Sequence, residues 1–210
     1  MRLFGGKKRK KIRVLATGGW GDMLLCTPTI KALRIKFPDA YIIVYVPEKI
    51  RSQLYFHSPH MNKISTTTIL NNPVASYIFL YQFHKFIDLK YTRIMPGLFP
   101  IIPVIDLIAN LANVELEDRR LQFFLSGQEE RAALDFLKGH PNPIIVHMST
   151  KGKNKTWIDQ NWEEVIRRFP GYTFIQLGED KDYALQGAVD MRGKTSFREA
   201  AALIKHSLSF

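Results

Sequence analysis

The sequence is poor in cysteine and has no long uninterrupted apolar run. Cys26 is its single cysteine, which excludes an internal disulfide framework and a cysteine-rich metal site and fits a reducing cytoplasm. The two most apolar stretches, residues 74–83 and 98–114, are shorter or more interrupted than the roughly 20 apolar residues that a membrane-spanning helix needs. Both are interpreted as buried core, and a soluble protein is expected.

Several common catalytic and cofactor motifs are also missing. The sequence has no G-x-G-x-x-G fingerprint, no Walker lysine motif and no G-x-S-x-G elbow, which argues against NAD binding, P-loop nucleotide binding and a serine hydrolase. No metal site is expected either, because the histidines are scattered and no H-E-x-x-H or carboxylate cluster accompanies them. They are His57, His60, His84, His140, His147 and His206.

Positive charge is concentrated at the N-terminus. Residues 1–13 carry seven basic side chains and no acidic one, in a chain with a formal net charge of +11. The apolar h-region of a signal peptide does not follow them, so a secretory signal is not expected. A basic arm over residues 1–11 could bind an anionic surface, either phospholipid headgroups or nucleic acid, or could be a solvated tail. Nucleic acid is disfavoured because no reader motif accompanies the charge.

The beginning of the chain has the pattern of a strand–helix–strand unit. The overall composition, 46% hydrophobic and 23% charged, is that of a globular protein with a sizeable core. Residues 12–17 predict a short strand, a glycine-rich turn follows, and residues 23–37 predict a helix. Residues 41–46 are continuously apolar, which is typical of a strand buried in a parallel sheet. This order indicates a right-handed βαβ unit.

A second α/β series is expected after a turn-rich break at residues 140–143. The domain boundary is placed there, with a first Rossmann-like domain over residues 12–140 and part of a second over residues 144–210. Further strands are predicted over residues 86–89, 144–148, 172–177 and 188–191. Further helices are predicted over residues 103–112, 128–138, 161–169, 182–186 and 196–205. Residues 208–210 resemble the start of another strand, so the second domain is expected to be incomplete.

The first candidate site is the glycine-rich turn after the first strand. Gly18, Gly19 and Gly21 permit tight backbone geometry and the close approach of a ligand to the N–H groups of a helix N-terminus. Asp22, in the same turn, has two interpretations. It can cap the helix, or it can act at the carboxyl end of a strand and take a proton from an attacking hydroxyl. The residues alone leave both roles open.

The second candidate site is the loop after the strand that begins the second series. Ser149 and Thr150 supply hydroxyls, while Lys151, Lys153 and Lys155 supply cations in a loop that contains glycine. This mixture suits the oxygens of a diphosphate, which accept charge-assisted hydrogen bonds. A solvated basic loop would have the same composition, so the alternative stays open.

A third candidate site follows the predicted strand at residues 172–177. Glu179 or Asp180 could accept hydrogen bonds from the hydroxyls of a ribose, as acidic residues at strand ends do in nucleotide-binding folds. Acidic residues are also common in surface turns, which is the alternative interpretation.

Together, three segments resemble glycosyltransferase family 9, the ADP-heptose:lipopolysaccharide heptosyltransferases. They are GGWGDMLLCTPTIKALRIKFPDA, the segment STKGKNKTWIDQNWEEVI with its preceding strand, and YTFIQLGED…DMRGKTSFREAAALI. Their order and spacing match the family from about residue 12 to the C-terminus, with a looser match in the middle. The resemblance implies a GT-B-like, metal-independent enzyme with an acceptor-binding N-terminal domain and a donor-binding C-terminal domain.

The resemblance also implies roles for individual residues. Asp22 matches the family's proposed general base, and Ser149, Thr150 and Lys155 match the loop that binds the donor phosphates. Glu179 lies near the family's acidic contact to the donor ribose. The Asp-x-Gly-x-x-His type motif with which the family continues is not reached, so the donor pocket of this chain is expected to be incomplete.

The reaction implied by the resemblance is the inverting transfer of a sugar, heptose in the family, from a nucleotide-diphosphate donor such as ADP-heptose. The acceptor would be a lipid-linked saccharide of the lipopolysaccharide type, and no cofactor beyond the nucleotide sugar is expected. Residues 1–13 would hold a cytoplasmic enzyme at the inner face of the cytoplasmic membrane. The alternative is a catalytically inactive remnant that binds a membrane or another anionic partner through the arm.

Overall fold

The computed structural model describes residues 9–48, 50–66, 86–89, 102–148 and 157–210. The chain divides into two units, Met1–Phe124 and Leu125–Phe210. Each unit contains a parallel β-sheet, as expected for a pair of Rossmann-like domains. No helix within the described ranges is long and apolar enough to cross a membrane. The apolar stretch at residues 74–83 lies outside these ranges.

The first unit contains a four-stranded parallel sheet in the order β3-β2-β1-β4. Its elements are β1 (Lys11–Leu15), α1 (Trp20–Leu25), α2 (Thr27–Lys36), β2 (Tyr41–Val46), a 3-10 helix (Ile50–Tyr55), β3 (Lys63–Thr66), β4 (Phe86–Asp88) and α3 (Val104–Leu111). In the register of the sheet, Leu15 of β1 lies opposite Tyr45 of β2 and Asp88 of β4. The strand order changes direction between β1 and β4, and open α/β sheets bind ligands outside the carboxyl ends of such a strand pair.

The core of the first unit lies between the sheet and its helices. Val14 and Val44 of the two central strands are fully buried together with Leu33 of α2 and Ile108 of α3. Because β2 is buried along most of its length, its sequence is continuously apolar rather than alternating. The predicted strands in this unit are confirmed as β1, β2 and β4, and the predicted helix at residues 103–112 is confirmed as α3.

The single helix predicted over residues 23–37 is two helices, α1 and α2, which meet at Cys26. Pro28 lies in the first turn of α2 and has no N–H to donate to the carbonyl four residues earlier. That carbonyl, of Leu24, instead accepts a 2.8 Å hydrogen bond from the hydroxyl of Thr27. Proline is well tolerated at a helix start, so the sequence begins a new helix at this point.

Strand β3 was not predicted from the sequence. Its residues, Lys63–Thr66, are KIST, which contains one apolar side chain, and the strand lies at the edge of the sheet. Polar edge strands are common because they discourage pairing with other chains, and they leave little hydrophobic signal.

The second unit contains a parallel sheet in the order β5-β6-β7. Its elements are α4 (Gly127–Leu137), β5 (Pro143–Val146), α5 (Asp159–Arg168), β6 (Thr173–Gln176), β7 (Val189–Asp190) and α6 (Phe197–His206). The expected strand start at residues 208–210 is present as a parallel bridge between Ser209 and Ile144 on the free side of β5. With that bridge included, this sheet is wound like the first, and its order changes direction between β5 and Ser209.

The contacts place α4 in the second unit, whereas the sequence placed the boundary after this helix, at residues 140–143. Ala133 and Leu137 of α4 are buried with Ile175 of β6 and Leu203 of α6. The carboxylate of Glu129 in α4 also pairs with the guanidinium of Arg198 in α6. Since its apolar face has its partners in this unit, the division falls between Phe124 and Leu125.

The short helix predicted over residues 182–186 is wrong, because no residue of this segment is helical. The buried side chain of Gln176 explains the difference. Its amide nitrogen donates to the carbonyl of Tyr183 at 2.7 Å, and its amide oxygen accepts from the N–H of Leu185 at 2.9 Å. These bonds use backbone groups that a helix would need for its own hydrogen bonds.

Candidate functional site

The glycine-rich turn at the carboxyl end of β1 is folded around the side chain of Asp22. Its Oδ2 atom accepts a 2.9 Å hydrogen bond from the backbone N–H of Gly19. Gly18 has φ +119°, and a β-carbon at this position would lie 2.7 Å from Oδ2 of Asp22. The turn therefore needs glycine at residue 18 for two reasons, its backbone conformation and the space that Asp22 occupies.

The capping role of Asp22 is present in the structure. Gly19 is the N-cap of α1, and the Asp22 carboxylate reaches back to its N–H in the manner of a capping box. A capping role does not exclude a chemical one, because an ionised carboxylate has about four lone-pair positions for hydrogen bonds. The cap fixes the carboxylate at the edge of the sheet where a ligand would bind.

Helix α1 is also held from the core side. The buried hydroxyl of Tyr55 donates a 2.8 Å hydrogen bond to the carbonyl of Met23, and burial raises the pKa of Tyr55 well above its ordinary value. This neutral phenol is therefore a hydrogen-bond donor throughout the physiological range. It fixes the first turn of α1 and, with it, the position of Asp22.

Asp88 is a second carboxylate at this edge, and it was not identified from the sequence as a site residue. It ends β4 and lies opposite Leu15 in the register with β1. Burial raises the pKa of the Cys26 thiol, and the charges of Asp22 and Asp88 raise it further. The sequence signal that could have identified Asp88 is an acidic residue near the end of the strand predicted at residues 86–89.

Thr17 contributes a buried hydroxyl to the same edge. Its side chain is 9% exposed, and its Oγ1 atom has no hydrogen-bond partner in the described part of the chain. An unpaired buried hydroxyl costs about 1–3 kcal/mol, so such a group suggests a role beyond packing. Thr17 also was not singled out from the sequence, because a threonine after a strand is an ordinary turn residue.

In the second unit, the predicted phosphate-binding residues Ser149, Thr150 and Lys155 lie outside the described residues, as do Lys151 and Lys153. Their position along the chain is nevertheless informative. They follow directly after β5, whose pairing with β6 on one side and Ser209 on the other makes it the strand at which the order changes direction. Phosphate-binding loops of Rossmann folds occupy this place in the topology.

Glu179 lies in the loop after β6, the strand next to β5. Its carboxylate is exposed and pairs with Lys181 at 2.5 Å, while Asp180 is exposed as well. The backbone N–H of Glu179 donates to Oδ2 of Asp182 at 2.7 Å, which fixes the loop. The acidic residue that contacts ribose in Rossmann folds lies at the end of this second strand, so Glu179 is in a suitable position.

The two loops share one construction. Gly178 has φ +151°, and a β-carbon there would clash with Oδ2 of Asp182, just as a β-carbon on residue 18 would clash with Asp22. In each loop an aspartate four residues after a glycine accepts a hydrogen bond from the N–H that follows that glycine. The carboxyl ends of β1 and β6 are therefore stabilised by the same local device.

No cluster of metal-ligating side chains occurs among the residues that the structure describes. His57 and His60 lie in the same loop before β3, and the other described histidines lie far from them in the sequence. His84 lies outside the described residues.

Solved structures similar to this chain are glycosyltransferases. A family 9 glycosyl transferase from Veillonella parvula matches with a TM-score of 0.72 and 16% identity, over 94% of this chain and 74% of that one. ADP-heptose lps heptosyltransferase II of E. coli matches with a TM-score of 0.66 and 16% identity, over 94% and 77%. The iron-containing dodecameric glycosyltransferase TibC of enterotoxigenic E. coli matches with a TM-score of 0.64 and 18% identity, over 96% and 52%.

These matches rest on structure alone. No protein-family model matches the sequence, and a search of the curated proteins finds no match. At 16–18% identity the similarity shows a shared fold. The predicted α/β fold of Rossmann-type units, and its resemblance to glycosyltransferase family 9, are confirmed at that level.

Proposed function

We propose that this protein is a glycosyltransferase that moves a sugar from a nucleotide-diphosphate donor to a hydroxyl group of a saccharide. The fold it shares with three glycosyltransferases supports the class of reaction. The observation that carries the proposal is the placement of Asp22. It lies at the carboxyl end of β1, beside the strand pair between which the sheet order changes direction, where α/β folds bind their ligands.

In the proposed reaction the acceptor binds to the first unit and Asp22 acts as general base. The carboxylate takes the proton from the acceptor hydroxyl as its oxygen attacks the anomeric carbon of the donor sugar. A new C–O bond forms while the C–O bond to the diphosphate breaks, so the configuration at that carbon inverts. The hydrogen bond from Gly19 and the anchoring of α1 by Tyr55 support the role, because a base must be held in a fixed geometry.

The donor half of the proposal concerns the second unit. Ser149, Thr150 and Lys155 would bind the diphosphate and stabilise the negative charge that develops on it as it leaves. Glu179 would accept hydrogen bonds from the ribose. In this proposal the cation of the loop, rather than a metal ion, compensates the charge of the leaving group.

The proposed donor and acceptor are taken from the resemblance to glycosyltransferase family 9. One structural neighbour is described as an ADP-heptose lps heptosyltransferase, so ADP-heptose is the proposed donor and a lipopolysaccharide-type saccharide the proposed acceptor. The cytoplasmic face of the membrane is the proposed location, with the basic residues 1–13 as the contact to anionic lipid.

Isothermal titration calorimetry with ADP, UDP, GDP and ADP-heptose tests the donor site. One nucleotide should bind saturably, and Lys155→Ala should weaken its binding about 10-fold, since a hydrogen bond to a charged group contributes roughly 1.5–3 kcal/mol. Lys138→Ala is the matched control, because Lys138 is an exposed lysine of the same unit that pairs with Asp135 at 2.6 Å. Equal binding by both variants would remove Lys155 from the site, and no binding of any nucleotide would contradict the donor assignment.

A further inference from the structure

A polar groove with a volume of about 460 Å³ runs beside α2 in the first unit. One wall is α2 itself, from Pro28 to Lys36, and the other is the end of α3 with the segment that follows it, residues 110–118. Sites for small ligands commonly have volumes of roughly 300–1,000 Å³. The groove is therefore large enough to hold a bound molecule.

The groove begins near the edge of the sheet at which Asp22 lies. α2 follows α1, the six-residue helix that contains Asp22, and ends shortly before β2 begins. Because β1 and β2 are parallel, the helices between them run from the carboxyl edge of the sheet to its amino edge. At the helical rise of about 1.5 Å per residue, Pro28 lies roughly 9 Å from Asp22, and Lys36 lies about 12 Å further along.

The two walls of the groove are tied together by charged side chains. Lys31 on α2 pairs with Asp118 at 3.3 Å, and Arg120 pairs with the same carboxylate at 3.0 Å. Lys36 donates a 2.5 Å hydrogen bond to the carbonyl of Asn113. These contacts engage both lysine side chains of α2 and fix the shape of the groove.

Three other polar side chains of the groove are exposed. Asn110, Glu115 and Glu117 make no hydrogen bond or ion pair within the described part of the chain. An amide both donates and accepts hydrogen bonds, whereas an ionised carboxylate only accepts them. The apolar lining includes Val114, which is buried, and Ile35, which is half exposed. The groove thus offers unpaired hydrogen-bonding groups beside apolar surface.

This combination suits a neutral saccharide. Sugar hydroxyls donate to carboxylates and bond amides in both directions, while the C–H groups of a sugar ring pack against aliphatic side chains. Two unpaired carboxylates repel a phosphate or a carboxylate on a ligand. A cationic peptide would also satisfy these carboxylates, but the groove begins near Asp22, where the proposed reaction needs a sugar hydroxyl.

From these observations we infer that the groove along α2 binds the neutral sugars of the acceptor that adjoin the reacting one. The reacting sugar lies beside Asp22, and the saccharide attached to it continues along α2, where Asn110, Glu115 and Glu117 bind its hydroxyls. This inference rests on the proposed acceptor role of the first unit and extends that role from one hydroxyl to an oligosaccharide. An acceptor of several sugars should therefore bind more tightly than a single sugar.

The test is NMR on the full chain with isotope-labelled glycine and asparagine, using methyl α-mannopyranoside, mannotriose and maltotriose as probes. At least one trisaccharide should shift the backbone amides of Asn110 and Asn113 together with those of Gly18 and Gly19. It should bind at least about fivefold more tightly than the monosaccharide, because it forms additional hydrogen bonds. The amide of Asn142, in the second unit, should not shift.

Two variants separate binding from folding. Asn110 lies in α3 and its side chain has no partner in the described residues, so Asn110→Ala should leave thermal stability unchanged or higher while it raises the dissociation constant of the trisaccharide about fivefold. Glu117→Gln keeps the shape of the side chain and loses the charge, so it should raise this constant roughly threefold. Gln128→Ala is the matched control, because it removes an exposed amide from α4 of the second unit and should leave binding unchanged.

The outcomes distinguish this inference from the proposed function. If the trisaccharides shift only the glycine amides, bind no more tightly than the monosaccharide, or bind all three variants equally, the inference is overturned and the acceptor role of the first unit stands. If no sugar shifts either set of amides in the wild type, the acceptor role is overturned and the inference with it. Trilysine that shifts Asn110 and Asn113, when neither trisaccharide does, would show that the groove binds a cationic chain and would also overturn the inference.

Discussion

A β-carbon on residue 18 would lie 2.7 Å from the side chain of Asp22, so the Asp22 side chain can occupy its position only because residue 18 is glycine. The same carboxylate accepts the N–H of Gly19 at 2.9 Å. The geometry of the turn and the position of the proposed general base are thus one structural feature. A change at Gly18 should affect both.

Gly18→Ala should destabilise the first unit by on the order of 2 kcal/mol, because alanine is strained at φ +119° and its β-carbon displaces Asp22. In a chain of this length that corresponds to a fall in Tm of roughly 4–8 °C, measured by thermal unfolding followed by circular dichroism.

Gly21→Ala is the matched control for that measurement. Gly21 lies inside α1, and a β-carbon there would meet no atom of the described residues within 4 Å. Alanine is favoured over glycine in a helix, so Tm should stay constant or rise slightly. Equal losses in the two variants would contradict the account of the turn.

The ion pair between Glu129 and Arg198 should make the second unit less stable in acid. The bond from the buried Arg198 guanidinium lowers the pKa of Glu129 to about 2, below its value in the unfolded chain. The stabilisation from this pair is therefore complete above about pH 5 and is lost as the pH falls toward 2.

Arg198→Met tests this relationship, since it removes the charge and keeps much of the apolar stem. The free energy of unfolding in urea should fall by about 2 kcal/mol at pH 7, and the difference from the wild type should shrink between pH 5 and pH 2. Lys205→Met removes the exposed pair with Glu130 and should cost less than about 1 kcal/mol at pH 7. A difference that does not depend on pH would show that Arg198 acts through packing alone.

Much of the fold was predictable because its local signals agree with its tertiary structure. The run Tyr41–Val46 is continuously apolar and is the buried central strand β2. Ser126 and Ser196 are each followed three residues later by glutamate, and both pairs form capping boxes at the start of α4 and α6. In these segments the local sequence is sufficient to predict the local structure.

The features that could not be predicted depend on contacts between residues that are distant in the sequence. The segment after Asp182 has helical composition, but Gln176, in a neighbouring strand, binds its backbone. α4 belongs to the second unit because it pairs with Arg198 there. This partner lies 69 residues away in the sequence, so the pairing could not be predicted from the helix itself. Asp22 could be identified as a candidate site residue from its own turn. Asp88 could not, because its position at the same edge of the sheet depends on the pairing of β4 with β1.

The basic residues 1–13 should hold the protein on an anionic membrane. Deletion of residues 1–11 should abolish sedimentation with liposomes that contain anionic lipid, since each basic residue near such a surface contributes about 1 kcal/mol. Raising the salt concentration should weaken binding of the intact chain in the same assay. Liposomes of neutral lipid are the control, and equal sedimentation of the intact and shortened chains with anionic liposomes would exclude this arm as the membrane contact.

The most direct test of the account is sugar transfer itself, measured as the release of ADP from ADP-heptose in the presence of a lipopolysaccharide core saccharide. The wild type and the control Asp39→Asn, which changes an exposed aspartate in the turn after α2, should turn over at similar rates. Asp22→Asn should lower kcat at least about 100-fold while calorimetry shows donor binding within about twofold of the wild type, because only proton transfer is lost. Asp22→Asn that retains most of the turnover would contradict the central claim that Asp22 is the general base of a glycosyltransferase.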